Sequence, residues 1–136
     1  MPETIAEGGC LCGAVRYRVE DEPTVSMICH CRSCTRAAGS PAVAWVTFRR
    51  ECFSFTRGEP AHFHSSLPVT RTFCDSCGTA LTYEHRERGS ETDVTTMSLD
   101  NPERFPPAHH SWVGDGPGWG RLGDRLPAYD REAPKG

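Results

Sequence analysis

Apolar and polar positions alternate with a period of two in several short stretches, the pattern of strands that bury one face. AVRYRV (Ala14 to Val19) alternates in this way, and AVAWVTF (Ala42 to Phe48) is apolar at most positions and reads as a more buried strand. FSFT (Phe53 to Thr56), AHFHS (Ala61 to Ser65), TALTYE (Thr79 to Glu84) and TDVTTMSL (Thr92 to Leu99) complete the set. Between them stand breakers rich in Gly, Pro and acidic residues: EDEP, TRGEP, SSLP, ERGSE and DNPERFPP. A helix is expected only from Ser33 to about Ala38, where Gly39 and Pro41 stop it. The pattern predicts a mainly β, small, single-domain antiparallel fold with one short helix after CHCRSC. The chain from about 114 to 136 is rich in Gly, Pro and Asp and is expected to wrap the domain irregularly.

Length and composition narrow this reading. A chain of 136 residues is enough for one core, so residues 1–136 are expected to form one domain. The formal net charge of −3 gives no electrostatic footprint for nucleic acid. MPETIAEGG has neither a basic start nor an apolar run, and no stretch approaches membrane-spanning length. These features predict a cytoplasmic protein without nucleic-acid or membrane partners. Thiols stay reduced in that compartment, so the 8 cysteines point to metal or catalysis and away from a disulfide framework.

Seven of the cysteines fall in three clusters: CLCG (Cys10, Cys12), CHCRSC (Cys29, Cys31, Cys34) and CDSCG (Cys74, Cys77). Seven thiolates divide as four plus three, the numbers that a closed structural zinc and an open catalytic zinc take from a protein. Both CLCG and CDSCG carry glycine directly after the second cysteine. A ligand turn often needs positive φ there, which glycine adopts without strain. The shared flank pairs them as one structural site of Cys10, Cys12, Cys74 and Cys77. Cys29, Cys31 and Cys34 are then left one ligand short, with a position open to substrate. The start of the short helix would favour thiolate at this trio. Two zinc ions per chain are expected.

Other readings of these residues stand beside this one. A C-x-x-C pair alone can be a redox motif, and a histidine can complete a second structural site. His30 lies between ligands on extended chain, should point away from the metal, and reads as a packing or hydrogen-bonding residue. Cys52, followed by FSF, reads as a buried core thiol. His62, His64, His109 and His110 have no metal spacing to the cysteines and read as surface residues. Arg32, Arg36 and Arg71 lie near the clusters and can hold a substrate carboxylate or be solvated surface charge.

The ordered elements GGCLCGAVRYRV, CHCRSCTRAAGSPAVAWVTF, FTRGEPAHFHSS, RTFCDSCGTALTYE, SLDNPERFPPAHHSWV and LPAYDRE resemble the family of glutathione-dependent formaldehyde-activating enzymes and the centromere protein V domain. The resemblance implies a zinc-bearing, Mss4-like β fold of the β-tent type. It places a structural zinc on Cys10, Cys12, Cys74 and Cys77, and a catalytic zinc on Cys29, Cys31 and Cys34. It also implies carbon–sulfur lyase chemistry that joins glutathione, or a similar small-molecule thiol, to formaldehyde or a related aldehyde. Cys31 is the residue it marks for direct reaction with glutathione sulfur. The competing expectations are a noncatalytic zinc module that binds a protein partner, and a thiol or metal sensor.

Overall fold

The computed structural model describes residues 3–120 together with Pro127, Tyr129 and Arg131; the rest of the expected irregular tail lies outside the described residues. Among the described residues, ten strands and one α-helix follow one another. They are β1 (Ala6–Gly9), β2 (Arg16–Val19), β3 (Val25–Cys29), α1 (Arg32–Ala38), β4 (Val43–Arg49), β5 (Phe53–Arg57), β6 (Ala61–Ser66), β7 (Val69–Phe73), β8 (Ala80–His85), β9 (Glu91–Thr95) and β10 (His109–Ser111). The expected mainly β domain with one short helix is what is seen. Among the described residues, no helix is long and apolar enough to cross a membrane.

A three-stranded sheet, β1-β2-β5, lies beside a seven-stranded sheet ordered β10-β3-β4-β9-β8-β7-β6. The main core joins them: Tyr17 and Val19 of the small sheet meet Val46, Phe48, Leu81 and Val94 of the large one, all at most 1% exposed. Phe105 closes one end, edge-on to Phe48. Alternation along β4 sends Val46 and Phe48 into this core and leaves Val43 and Trp45 in a second cluster with Cys29 and Cys34.

Register decides what shares that second face. Direct partners run Val25↔Thr47↔Asp93↔Tyr83↔Arg71↔Phe63, and the neighbouring rows are Met27↔Trp45↔Thr95 and Cys29↔Val43. Residues directly opposite each other project to the same side of a sheet. One sheet face therefore carries a cysteine (Cys29), three aromatics (Trp45, Phe63 and Tyr83), an arginine and an aspartate drawn from distant parts of the sequence.

Several elements differ from the sequence expectation. AVRYRV forms a strand only from Arg16, because the preceding residues make the turn that holds Cys10 and Cys12. TDVTTMSL is strand only to Thr95; Thr96–Ser98 turns as a 3-10 helix and leaves Met97 exposed. β1, β3, β7 and β10 carry too little alternation to stand out: AEGG is half glycine, and β10 is three residues long. β10 also pairs parallel with β3, the exception to the antiparallel plan. Cys52 is half-buried at the edge of the core, because it ends a 3-10 turn, Arg50–Cys52, that leads into β5.

Candidate functional site

The Sγ atoms of Cys10, Cys12, Cys74 and Cys77 all lie within 4.8 Å of one another, as do those of Cys29, Cys31 and Cys34. The eight cysteines are free thiols. The two groups are the quartet and trio expected from sequence, brought together by the fold.

The quartet is built from two turns of the same design. Cys10 N–H donates to Val15 O at 3.0 Å, and Cys74 N–H donates to Thr79 O at 3.0 Å. Gly13 and Gly78 close these turns by donating to the carbonyls of Cys10 and Cys74 at 3.2 and 2.8 Å. Their φ values are 80° and 81°, in the left-handed region that glycine enters without penalty. Val15 N–H also donates to Cys10 Sγ at 3.2 Å, and Thr79 sits 3.2 Å from Cys77 Sγ through its hydroxyl. Thr79 lowers the Cys77 thiol to about 5, first through that hydroxyl and then through its amide. Only sulfur is offered in this group. A tetrahedral zinc with Zn–S bonds of about 2.3 Å separates its sulfurs by about 3.8 Å. Cys10–Cys12 and Cys12–Cys74 are 3.6 and 3.8 Å apart, so the donor set and its spacing fit such an ion.

The trio straddles the entry to α1. Cys29 is the last residue of β3, and Cys31 caps the helix, its Sγ accepting the Cys34 N–H at 3.3 Å. Gly39 ends the helix with φ 62° and donates to Arg36 O. Cys29 and Cys34 are buried, while Cys31 is partly open. Hydrogen bonds from Cys29, then from Cys31 and Arg71, outweigh burial and lower the Cys34 thiol to about 5. Cys29 is raised, chiefly by sharing its proton with Cys34 and by burial. The shift favours the thiolate form at Cys34, the form in which a cysteine ligates metal.

A cleft of about 330 Å³ opens over the trio. Trp45, Arg71, Tyr83, Arg88 and Asp93 form part of its wall, and Trp112 and Asp115 reach it from the far side. The Arg71 guanidinium donates to Cys34 Sγ at 3.7 Å and to Ser65 Oγ at 3.2 Å, and stacks 4.8 Å above the Tyr83 ring. Burial raises the Tyr83 phenol, against the opposing effect of Arg71, so the phenol stays protonated. Asp93 is buried and held by the Thr47 hydroxyl and by both terminal nitrogens of Arg88.

The remaining sequence candidates divide. Arg71 and Arg32 line the cleft, whereas Arg36 lines a neighbouring groove. His30 is buried with its Nε2 2.8 Å from Nδ1 of His110, which hydrogen-bonds through β10 and not to a thiol. His62, His64 and His109 are exposed. Sequence reading missed Trp45, Tyr83, Arg88, Asp93 and Trp112. Only the strand register could have placed Trp45, Tyr83 and Asp93 beside the trio, and Arg88 reaches Asp93 from the 3-10 turn between β8 and β9. Thr79 had a signal, standing two residues after Cys77 where a turn amide and hydroxyl face sulfur.

Residues 5–115 match the family described as glutathione-dependent formaldehyde-activating enzyme. The chain belongs to that family. The resemblance drawn from the cysteine clusters is thereby shown. A protein named an uncharacterized lyase, from Schizosaccharomyces pombe, is 34% identical over 86 residues, which is 62% of this chain. The matched stretch spans 60% of that relative's length. A crystal structure of a Rhodobacter sphaeroides protein aligns with a TM-score of 0.63 at 23% identity, covering 77% of this chain and 99% of that one. That likeness carries the fold alone.

Proposed function

We propose that the protein is a zinc-dependent carbon–sulfur lyase of its family's type, joining a thiol such as glutathione to formaldehyde or a related aldehyde. The observation that carries the reading is the division of seven thiols into a group of four and a group of three, with only the three lining a cleft. Cys10, Cys12, Cys74 and Cys77 would hold a structural zinc; Cys29, Cys31 and Cys34 would hold the catalytic one. When bound at the trio, zinc supplies an acceptor for the substrate sulfur and favours its thiolate at neutral pH.

The chain's own residues supply the rest. Cys31, the most open of the three, is the position at which the incoming sulfur meets the site. Arg71 holds Cys34 as thiolate and presents positive charge where an aldehyde oxygen would develop negative charge. The Tyr83 phenol, protonated and beside Arg71, offers a second donor for that oxygen. Arg32 and Arg71 give the cleft a cationic wall for the carboxylates of a thiol such as glutathione. Asp93, paired with Arg88, continues the same row beside Tyr83. Trp45 and Trp112 supply aromatic surface beside the thiols. The lyase name of the fission-yeast relative supports the same reaction class.

Exchange between free glutathione and its formaldehyde adduct, followed at equilibrium by exchange NMR, tests the reading. Wild-type protein should accelerate it above the spontaneous rate, and Cys31→Ser should remove the acceleration while circular dichroism is unchanged. No acceleration across a panel of thiols and aldehydes would refute it.

A further inference from the structure

A second depression, about 600 Å³, lies between α1 and the β6–β7–β8 part of the same sheet face. Ser33, Cys34, Trp45 and Arg71 line both it and the cleft over the trio. The two compartments differ in chemistry. The first sets three arginines and two aspartates among its aromatics and thiols, whereas the second adds only Arg36 to the shared Arg71 and is lined mainly by Ala37, Val43, Phe63, Phe73 and Ala80. Phe63 stands 59% exposed at its rim, directly across the strand pair from Arg71. Formaldehyde is of the order of one water in size, about 30 Å³, and has no use for an apolar compartment of this extent.

We propose that the groove receives the apolar substituent of a carbonyl substrate, so that the chain acts on adducts between an anionic thiol and an aliphatic or aryl aldehyde. This rests on the thiol–aldehyde reading above and names its substrate class. The thiol's charged groups occupy the cationic cleft and the aldehyde's hydrocarbon lies in the groove. The reacting carbon sits at the Cys34–Arg71–Trp45 partition between them. The step balances without a further reagent. The sulfur lone pair forms the C–S bond, and the carbonyl π pair moves to oxygen. The proton lost from sulfur ends on that oxygen.

Binding of glutathione and of S-methyl-, S-butyl- and S-hexylglutathione to the zinc-loaded protein, read by quenching of tryptophan fluorescence and by calorimetry, tests the assignment. Affinity should rise roughly three- to fourfold for each added methylene until the groove is filled. Ala37→Trp, which fills the groove from the exposed side of α1, should flatten that ladder, and Phe63→Ala should make it shallower. In exchange assays, the rate ratio of hexanal to formaldehyde should fall in both variants. If glutathione binds and the ladder is flat in the wild type, the groove assignment fails alone. A ladder that persists in Ala37→Trp also overturns it. If neither glutathione nor any S-alkyl derivative binds, the thiol reading fails and the groove assignment with it.

Discussion

Removing Cys12 and Cys77 together separates a metal staple from two ordinary surface thiols. Cys12 is exposed and Cys77 only partly buried, so Cys12→Ser/Cys77→Ser leaves the core intact and retains hydrogen-bonding capacity at Thr79. Only Cys10 and Cys74 then remain, too few to hold a structural ion. The link lost joins residues 62 apart in sequence. Closing a loop of that length restricts the unfolded chain by about 4 kcal/mol on the chain-entropy relation for cross-links. At about 3–4 °C per kcal/mol for a domain of this size, the melting temperature should fall by about 12–16 °C. Two serine substitutions at surface turns without a shared ion would cost about 0.5 kcal/mol each. Cys31→Ser is the internal control: the trio spans only six residues, and its loop-closure contribution is smaller by about 2 kcal/mol. The assay is thermal melting with zinc analysis, at neutral pH under reducing conditions. A double variant that melts within about 4 °C of wild type, or that keeps its full zinc content, would refute the staple.

Gly58 has φ 69°, and a Cβ there would lie 2.2 Å from the Ala14 carbonyl oxygen. Gly58→Ala should therefore lower stability by about 2–5 kcal/mol, combining left-handed strain with overlap, seen as a lower urea midpoint at unchanged slope. Among the described residues, Trp112 is the only non-glycine with positive φ, at 60°, and it stands 66% exposed at the cleft edge. Trp112→Gly should leave the melting temperature equal or raise it by up to about 1 kcal/mol equivalent, while the KM for thiol rises severalfold in the exchange assay. The Arg16 guanidinium depresses the Asp100 carboxyl below its usual range. A depressed folded pKa contributes stability above the unfolded value, near 3.9, and loses it as pH falls through the folded one. Asp100→Asn should thus cost no more than about 1 kcal/mol at neutral pH, because the pair is solvent-screened, and the gap to wild type should close in acid.

Much of the thiol clustering was legible in local sequence. CLCG and CDSCG each encode a complete turn, with the glycine supplying positive φ next to the second cysteine, and nothing distant is needed for that geometry. CHCRSC likewise encodes its own trio, since an extended pair followed by a helix start places three thiols within one turn of chain. The β class followed from alternation in RYRV and from the short apolar run AVAWVTF. Strands without alternation, such as AEGG and HHS, could not be read, because they are specified by their partners β2 and β3 and not by their own side chains.

Local pattern therefore determined which thiols sit together in each turn. Tertiary structure decided what surrounds them. Arg71 reaches Cys34, 37 residues away, only because β7 pairs with β8 in a register that places Arg71 beside Tyr83, Asp93 and Thr47. Shifting a strand by one residue would turn each of its side chains to the opposite face. That register is set by burial of Val46, Val94 and Leu81 on the other side of the sheet, a cooperative property of the whole core that no single segment contains.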